Sequence, residues 1–149
     1  MPEDIARAKP RAVLDSNVII SGLAFRRGNP RQVLEMLKEG EIDVVISPFV
    51  MFEVAGSLRE DFDWDQADIE SELTLLRSRG IVIDPVPEAA VSQLSATDNR
   101  VLDCAVQGHV EYLVTGDHGI QRIGEFRGVR VVSPSQFLDI CRQLRTNIP

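Results

Sequence analysis

A chain of 149 residues, 44% hydrophobic and 26% charged, is long enough to bury one core and too apolar to be a disordered tail. Its formal net charge of −7 excludes a protein that coats nucleic acid by bulk electrostatics, and leaves room only for a local basic rim. No apolar run approaches the roughly 20 residues of a membrane span, and the polar leader "MPEDIARAKPRA" lacks the apolar centre of a signal peptide, so a cytoplasmic protein without membrane contact is expected.

After the leader, residues 1–10, "RAVLD" is a short apolar strand that ends in the carboxylate of Asp15. "SNVIISGLAF" follows as a short helix. Beyond the break "GNP", Pro30 opens a second helix, "RQVLEMLKEG", with Val33, Leu34 and Leu37 on one face and Gly40 near its end. "IDVVIS" has the β-branched run of a buried parallel strand. Ser47-Pro48 reads as an N-cap and first-turn proline for a helix over roughly residues 48–60. "DWDQADIESELTLLRSRG" is a further helix, with Ile69, Leu73, Leu75 and Leu76 as its apolar stripe and Gly80 as its end. "IVIDPVP" is the third strand, closed by prolines.

Thr97 or Asp98 caps the next helix, which runs through Val101, Leu102, Ala105 and Val106 to Gly108. Strand four is "EYLVTGD". A short helix around "GIQRIGEF", a fifth strand "VRVVS" and a last helix opened by Ser133-Pro134 complete the pattern. This alternation predicts one domain over residues 1–149, with its core at about 11–145. The expected architecture is a three-layer α/β/α sandwich around a roughly five-stranded parallel sheet, because parallel neighbours need crossover helices. Cys104 and Cys141, far apart in partly apolar segments, are expected to be reduced buried thiols.

Ligands in such sheets bind beyond the carboxyl ends of the strands, where strand order reverses. Asp15 and Asp117 both end strands. Glu53, in "SPFVMFEVAG", is an acid in an apolar stretch and must reach water, a partner or a metal; an exposed helical stripe is the plain alternative. Asp98 stands at a helix start, where capping alone would account for it. Asp103 lies five residues later, about 140° round the helix, so the two do not share a face. It is either a supporting group for the acids or a surface charge. Four carboxylates in one cleft repel one another unless a divalent cation sits between them, which points to metal-assisted phosphoester chemistry. Arg26, Arg27 and Arg31, with Arg100 and Arg122, are candidates for the basic rim, although a solvated surface is the plainer reading of this cluster taken alone.

The stretches "VLDSNVIISGL", "SPFVMFEV", "TDNRVLDCAVQGHVEYLVTGD" and "VRVVSPSQFL" resemble the PIN-domain ribonucleases, especially those classed as toxins of toxin–antitoxin systems. The resemblance spans about residues 11 to 141. It implies a Mg²⁺ or Mn²⁺ site and endonucleolytic cleavage of single-stranded RNA, with Asp15, Glu53, Asp98 and Asp117 as the four acids in order. Asn17 matches the polar residue after the first aspartate and Thr115 the hydroxyl before the last. It further implies a homodimer and a small antitoxin in the active-site groove. Two departures stand out: His118, Gly119 and Ile120 follow "TGD" where relatives carry another acid and a leucine, and "SATDN" replaces "DPxDN".

On this reading Asp15, Asp98 and Asp117 bind one or two ions, Glu53 holds a second ion or its water, and Asn17 and Thr115 orient these groups. A non-catalytic module binding RNA or an antitoxin is the competing expectation. A phosphatase with a strand-end nucleophile needs Asp-x-Asp, and Asp15-Ser16-Asn17 does not supply it.

Overall fold

The computed structural model describes residues 9–146, so most of the polar leader lies outside the described residues. The elements are β1 (Arg11–Leu14), α1 (Ser16–Ala24), α2 (Asn29–Lys38), β2 (Asp43–Ile46), α3 (Pro48–Glu60), α4 (Gln66–Arg79) and β3 (Ile81–Val82). They continue with α5 (Ala96–Gln107), β4 (Tyr112–Val114), α6 (His118–Gln121), β5 (Glu125–Phe126), β6 (Val129–Val132) and α7 (Pro134–Thr146).

The sheet order is β3-β2-β1-β4-β6-β5, parallel throughout except for β5, which runs antiparallel to β6. β1, β2 and β4 are buried on both faces and therefore read as unbroken apolar runs such as "AVL" and "VVI". α1 packs on α2 and α3, α3 on α4, and α2 on α7, whereas α5 lies against β1, β2 and β4. With right-handed crossovers, the steps from β1 to β2 to β3 put α1 to α4 on one face, and the return to β4 puts α5 on the other. A side chain at Gly22 of α1 would meet Leu34 Cδ1 at 2.6 Å and the Pro30 carbonyl at 2.9 Å, so glycine sets how closely α1 and α2 approach.

The expected sheet of five parallel strands gains a sixth. The helix expected around "GIQRIGEF" ends at Gln121, and Gly124 at φ +72° turns the chain out of it. Arg127 (φ 48°) and Gly128 (φ 86°) then form a two-residue turn with both φ positive, which joins β5 to β6 as a tight hairpin. β3 is shorter than expected. Pro85 and Pro87 cannot extend the ladder, and Gln107 instead binds both the Val86 amide (2.8 Å) and carbonyl (2.6 Å).

Helix starts follow capping chemistry. Ser47 Oγ accepts from the Val50 amide at 3.2 Å, and Ser133 and Gln136 form a reciprocal capping box at 3.1 and 2.9 Å. Cys104 and Cys141 are free and buried, as expected, and burial pushes their thiols up to about 12 and about 11. Among the described residues no helix is long and apolar enough to cross a membrane.

Candidate active site

Strand order reverses between β1 and β4: the chain leaves β1 toward β2 and later enters β4 on the opposite side. Leu14 pairs with Val114 in register, so Asp15 and Thr115 are the first residues past the sheet on adjacent strands. Thr115 Oγ1 donates to Asp15 Oδ2 at 2.8 Å, and Asn17 Nδ2 donates to the same oxygen at 3.1 Å. The Ser16 amide donates to Asp15 Oδ1 at 2.8 Å, so Asp15 also caps α1. Asn17 Oδ1 accepts from the Gly116 amide at 3.1 Å and ties the turn after β4 to the start of α1. These contacts link residues about a hundred positions apart because the two strands are neighbours.

The same turn presents Asp117. Its amide donates to Thr115 Oγ1 at 3.0 Å, and its Oδ1 accepts from the Ile120 amide at 3.1 Å as the N-cap of α6. Gln121 Nε2 donates to the Thr115 carbonyl at 2.7 Å and braces the turn. Nothing in the sequence pattern marks Gln121 beyond its place in the helix that Asp117 opens.

Asp98 lies in the first turn of α5, but the N-cap is Ser95, whose Oγ accepts from the Asp98 amide at 3.1 Å. The expectation that Thr97 or Asp98 caps this helix is corrected, and capping no longer accounts for the Asp98 carboxylate. Glu53 sits in α3, half-buried rather than on an exposed stripe, and its Oε1 is enclosed without a hydrogen-bond partner.

The acids lie within electrostatic reach of one another. Burial raises the Asp15 pKa above 3.8; hydrogen bonds from Thr115 and Ser16 oppose the rise, and repulsion from Asp98 and Asp117 adds to it. Burial likewise raises Glu53 above 4.5, the Ser16 side chain acts against it, and Asp15 and Asp98 push it further up. Asp15 thus feels Asp98 and Asp117, while Glu53 feels Asp15 and Asp98. Among the described residues no three His, Cys, Asp or Glu side chains already stand in metal-ligating positions. The acids share an electrostatic field without a finished coordination shell. An all-carboxylate oxygen set with one unpartnered enclosed oxygen suits a hard dication.

These shifts carry a pH consequence. A carboxyl whose folded pKa is raised contributes stability in its protonated form, complete below the unfolded value and lost as pH rises through the folded one. The metal-free protein therefore loses stability as pH climbs above the ordinary 3.8 and 4.5 of these two groups. Glu53→Gln removes one of them and should raise the thermal midpoint in EDTA at pH 7 by about 2 °C, with a smaller effect at pH 4. Melting curves at the two pH values check this, and an unchanged or lower midpoint at pH 7 contradicts it.

Asp103 is not a surface charge, which corrects that expectation, and its hydrogen bonds run to the segment before α5. It is buried at 2% exposure and accepts from the Glu88 amide at 3.1 Å and the Ala89 amide at 2.7 Å, with Arg100 Nε 3.0 Å away. Four residues earlier on the same helical stripe, buried Asn99 accepts from the Val91 amide at 2.8 Å and donates to the Val91 and Ser95 carbonyls. Asn99, Asp103 and Gln107 together latch residues 86–95 onto α5.

The basic rim divides. Arg100 Nη2 donates to the Ala89 carbonyl at 2.8 Å and belongs to this latch. Arg31 donates to the Gly22 carbonyl at 3.1 Å and lies 3.5 Å from Glu35, so it is committed to α1 and α2. Arg26, Arg27 and Arg122 are exposed.

A parallel sheet with acids at its switch point defines a class of α/β domain, and the comparisons specify it. The chain belongs to the PIN-domain family, whose model matches residues 11–119. It is similar in fold to the crystal structure of PAE2754 from Pyrobaculum aerophilum, at TM-score 0.60 and 17% identity over 90% of each chain. Curated protein sequences give no match.

Proposed function

We propose that this chain is a metal-dependent endoribonuclease that cleaves single-stranded RNA. The enclosed, unpartnered Oε1 of Glu53 beside the buried carboxylate of Asp15 carries this reading. Two carboxylates within electrostatic reach of each other and partly withdrawn from water are costly without a cation. PIN domains are generally metal-dependent nucleases, which supports the same chemistry.

Asp15, Asp98, Asp117 and Glu53 would hold one or two Mg²⁺ or Mn²⁺ ions. When bound, the ion supplies Lewis-acid stabilisation of the phosphate and lowers the pKa of a water. The chain's own residues set the geometry. Thr115 and Asn17 fix one oxygen of Asp15 and the Ser16 amide fixes the other, which favours its ionised form. Asp15 and Asp117, as N-caps, and Asp98, in a first turn, also sit at the positive ends of helix dipoles.

The test is incubation with single-stranded RNA and Mg²⁺ or Mn²⁺, against EDTA. Cleavage that drops more than about a hundredfold in EDTA is expected; full activity in EDTA overturns the metal role. Family resemblance supports the finer reading of a type II toxin, homodimeric and neutralised by a small antitoxin. Growth arrest on expression, relieved by a small protein encoded alongside, checks that role.

One observation favours a second reading, a non-catalytic PIN-fold module that binds RNA or an antitoxin: His118, Gly119 and Ile120 follow Asp117 where relatives carry another acid and a leucine. Mg²⁺ titration separates the two. Thermal stabilisation by Mg²⁺ that disappears in Asp98→Asn belongs to the enzyme.

A further inference from the structure

Phenylalanine is placed unusually in this chain. Of six phenylalanines, Phe137 is fully buried, while Phe25, Phe49, Phe52 and Phe62 are 54%, 40%, 76% and 37% exposed. Phe25 and Phe62 engage each other edge to face, with ring centroids 5.7 Å apart. Phe49 and Phe52 have no aromatic partner among the described residues. Nor are they needed to seat α3, which the buried Val50, Met51, Val54 and Leu58 already anchor.

Their position relative to Glu53 matters. Phe49 precedes Glu53 by four residues, so the two share one helical stripe, roughly 5–6 Å apart at Cβ. Phe52 lies three residues after Phe49 and leads away over the groove between α3 and α4, beside Met51, Ala55 and Val82. An exposed aromatic pair thus begins one turn from an acid of the candidate site.

Charge limits how a single strand could bind there. The chain carries −7, the site itself is acidic, and Arg31 and Arg100 are spent on backbone carbonyls. Arg59 and Arg77 line the same groove as Phe52, alongside Glu70, so a strand lying there meets a few cations for its phosphates and depends on the bases for the rest of its affinity. Stacking on aromatic faces supplies it without dependence on sequence.

Resting on the nuclease reading above, we propose that Phe49 and Phe52 form a stacking platform for the bases flanking the scissile phosphate of single-stranded RNA. The platform sets substrate affinity and selects unpaired over duplex strands, because only unpaired bases offer their faces.

The test is steady-state cleavage of short single-stranded oligoribonucleotides in Mn²⁺ by the full chain, Phe49→Ala, Phe52→Ala and Phe52→Trp. Each alanine variant should raise KM roughly 5- to 150-fold with kcat nearly unchanged, and Phe52→Trp should keep the parent KM. Abasic substitution beside the cleaved bond should raise KM for the parent and cost much less in the alanine variants. Unchanged KM in both alanine variants, or abasic penalties of equal size in parent and variants, overturns the platform while leaving the nuclease reading standing. Absence of RNA cleavage by the parent chain overturns both. Sedimentation in parallel decides the remaining case: if the alanine variants dissociate an oligomer and KM then follows protein concentration, the patch joins two copies of the chain and the proposal fails.

Discussion

Asp15→Asn should lower metal-dependent RNA cleavage by more than about a hundredfold while the thermal midpoint stays within about 2 °C of the parent or rises. Asparagine caps helices as well as aspartate does, so α1 keeps its start. The Ser16 amide still finds an oxygen, and the Thr115 hydroxyl can turn to accept from the new amide, while Asn17 Nδ2 loses its acceptor, a cost set against the relief of charge repulsion. What disappears is a buried negative charge that Asp98 and Asp117 repel. The substitution therefore separates chemistry from folding. Cleavage rates and melting curves in EDTA measure the two, and activity within tenfold of the parent would remove Asp15 from the reaction. The same melts with added Mg²⁺ should show stabilisation in the parent and little in the variant.

Asp103→Leu should have the largest effect on stability, a loss of about 3 kcal/mol. Leucine is of similar size, so packing is not the cause. Two backbone amides, Glu88 and Ala89, lose their acceptor beside a buried alanine, and Arg100 loses its counter-charge. In a chain of this length the midpoint should fall roughly 6–12 °C. Amides of residues 86–91 should exchange faster than those of β1 and β4, because the latch fails before the core does. Asp103→Asn keeps one acceptor and should lose less. An unchanged midpoint in Asp103→Leu would show that the segment is fixed by something other than this carboxylate.

These two aspartates also show how far local pattern reaches. Asp15 is readable because an apolar run stops at it and it opens a row of three capping residues, Asp15, Ser16 and Asn17, two more than a cap requires. Its contact with Thr115 depends only on β1 and β4 being adjacent, which strand–helix alternation already implied. Asp103 was misread because helical periodicity reports which side of α5 is polar, not what covers that side. Its cover is residues 86–95, a segment without periodicity whose hydrogen bonds run to side chains rather than to a ladder. The hairpin of β5 and β6 was missed for a related reason. Its turn uses Arg127 in a left-handed conformation that arginine seldom adopts, so only Gly128 hinted at it. Ser95 caps α5 although Thr97 and Asp98, both good caps, stand closer to the apolar pattern.

The two outer strands, β3 and β5, are each two residues long. A foreign chain seeking to extend this sheet finds hardly any open ladder at either side. Pro85 and Pro87 follow the first edge, and Glu125 and Arg127 bracket the second with charge. The protein should thus tolerate high concentration without fibril growth, even though Ile81 and Val82 present bare hydrocarbon to water.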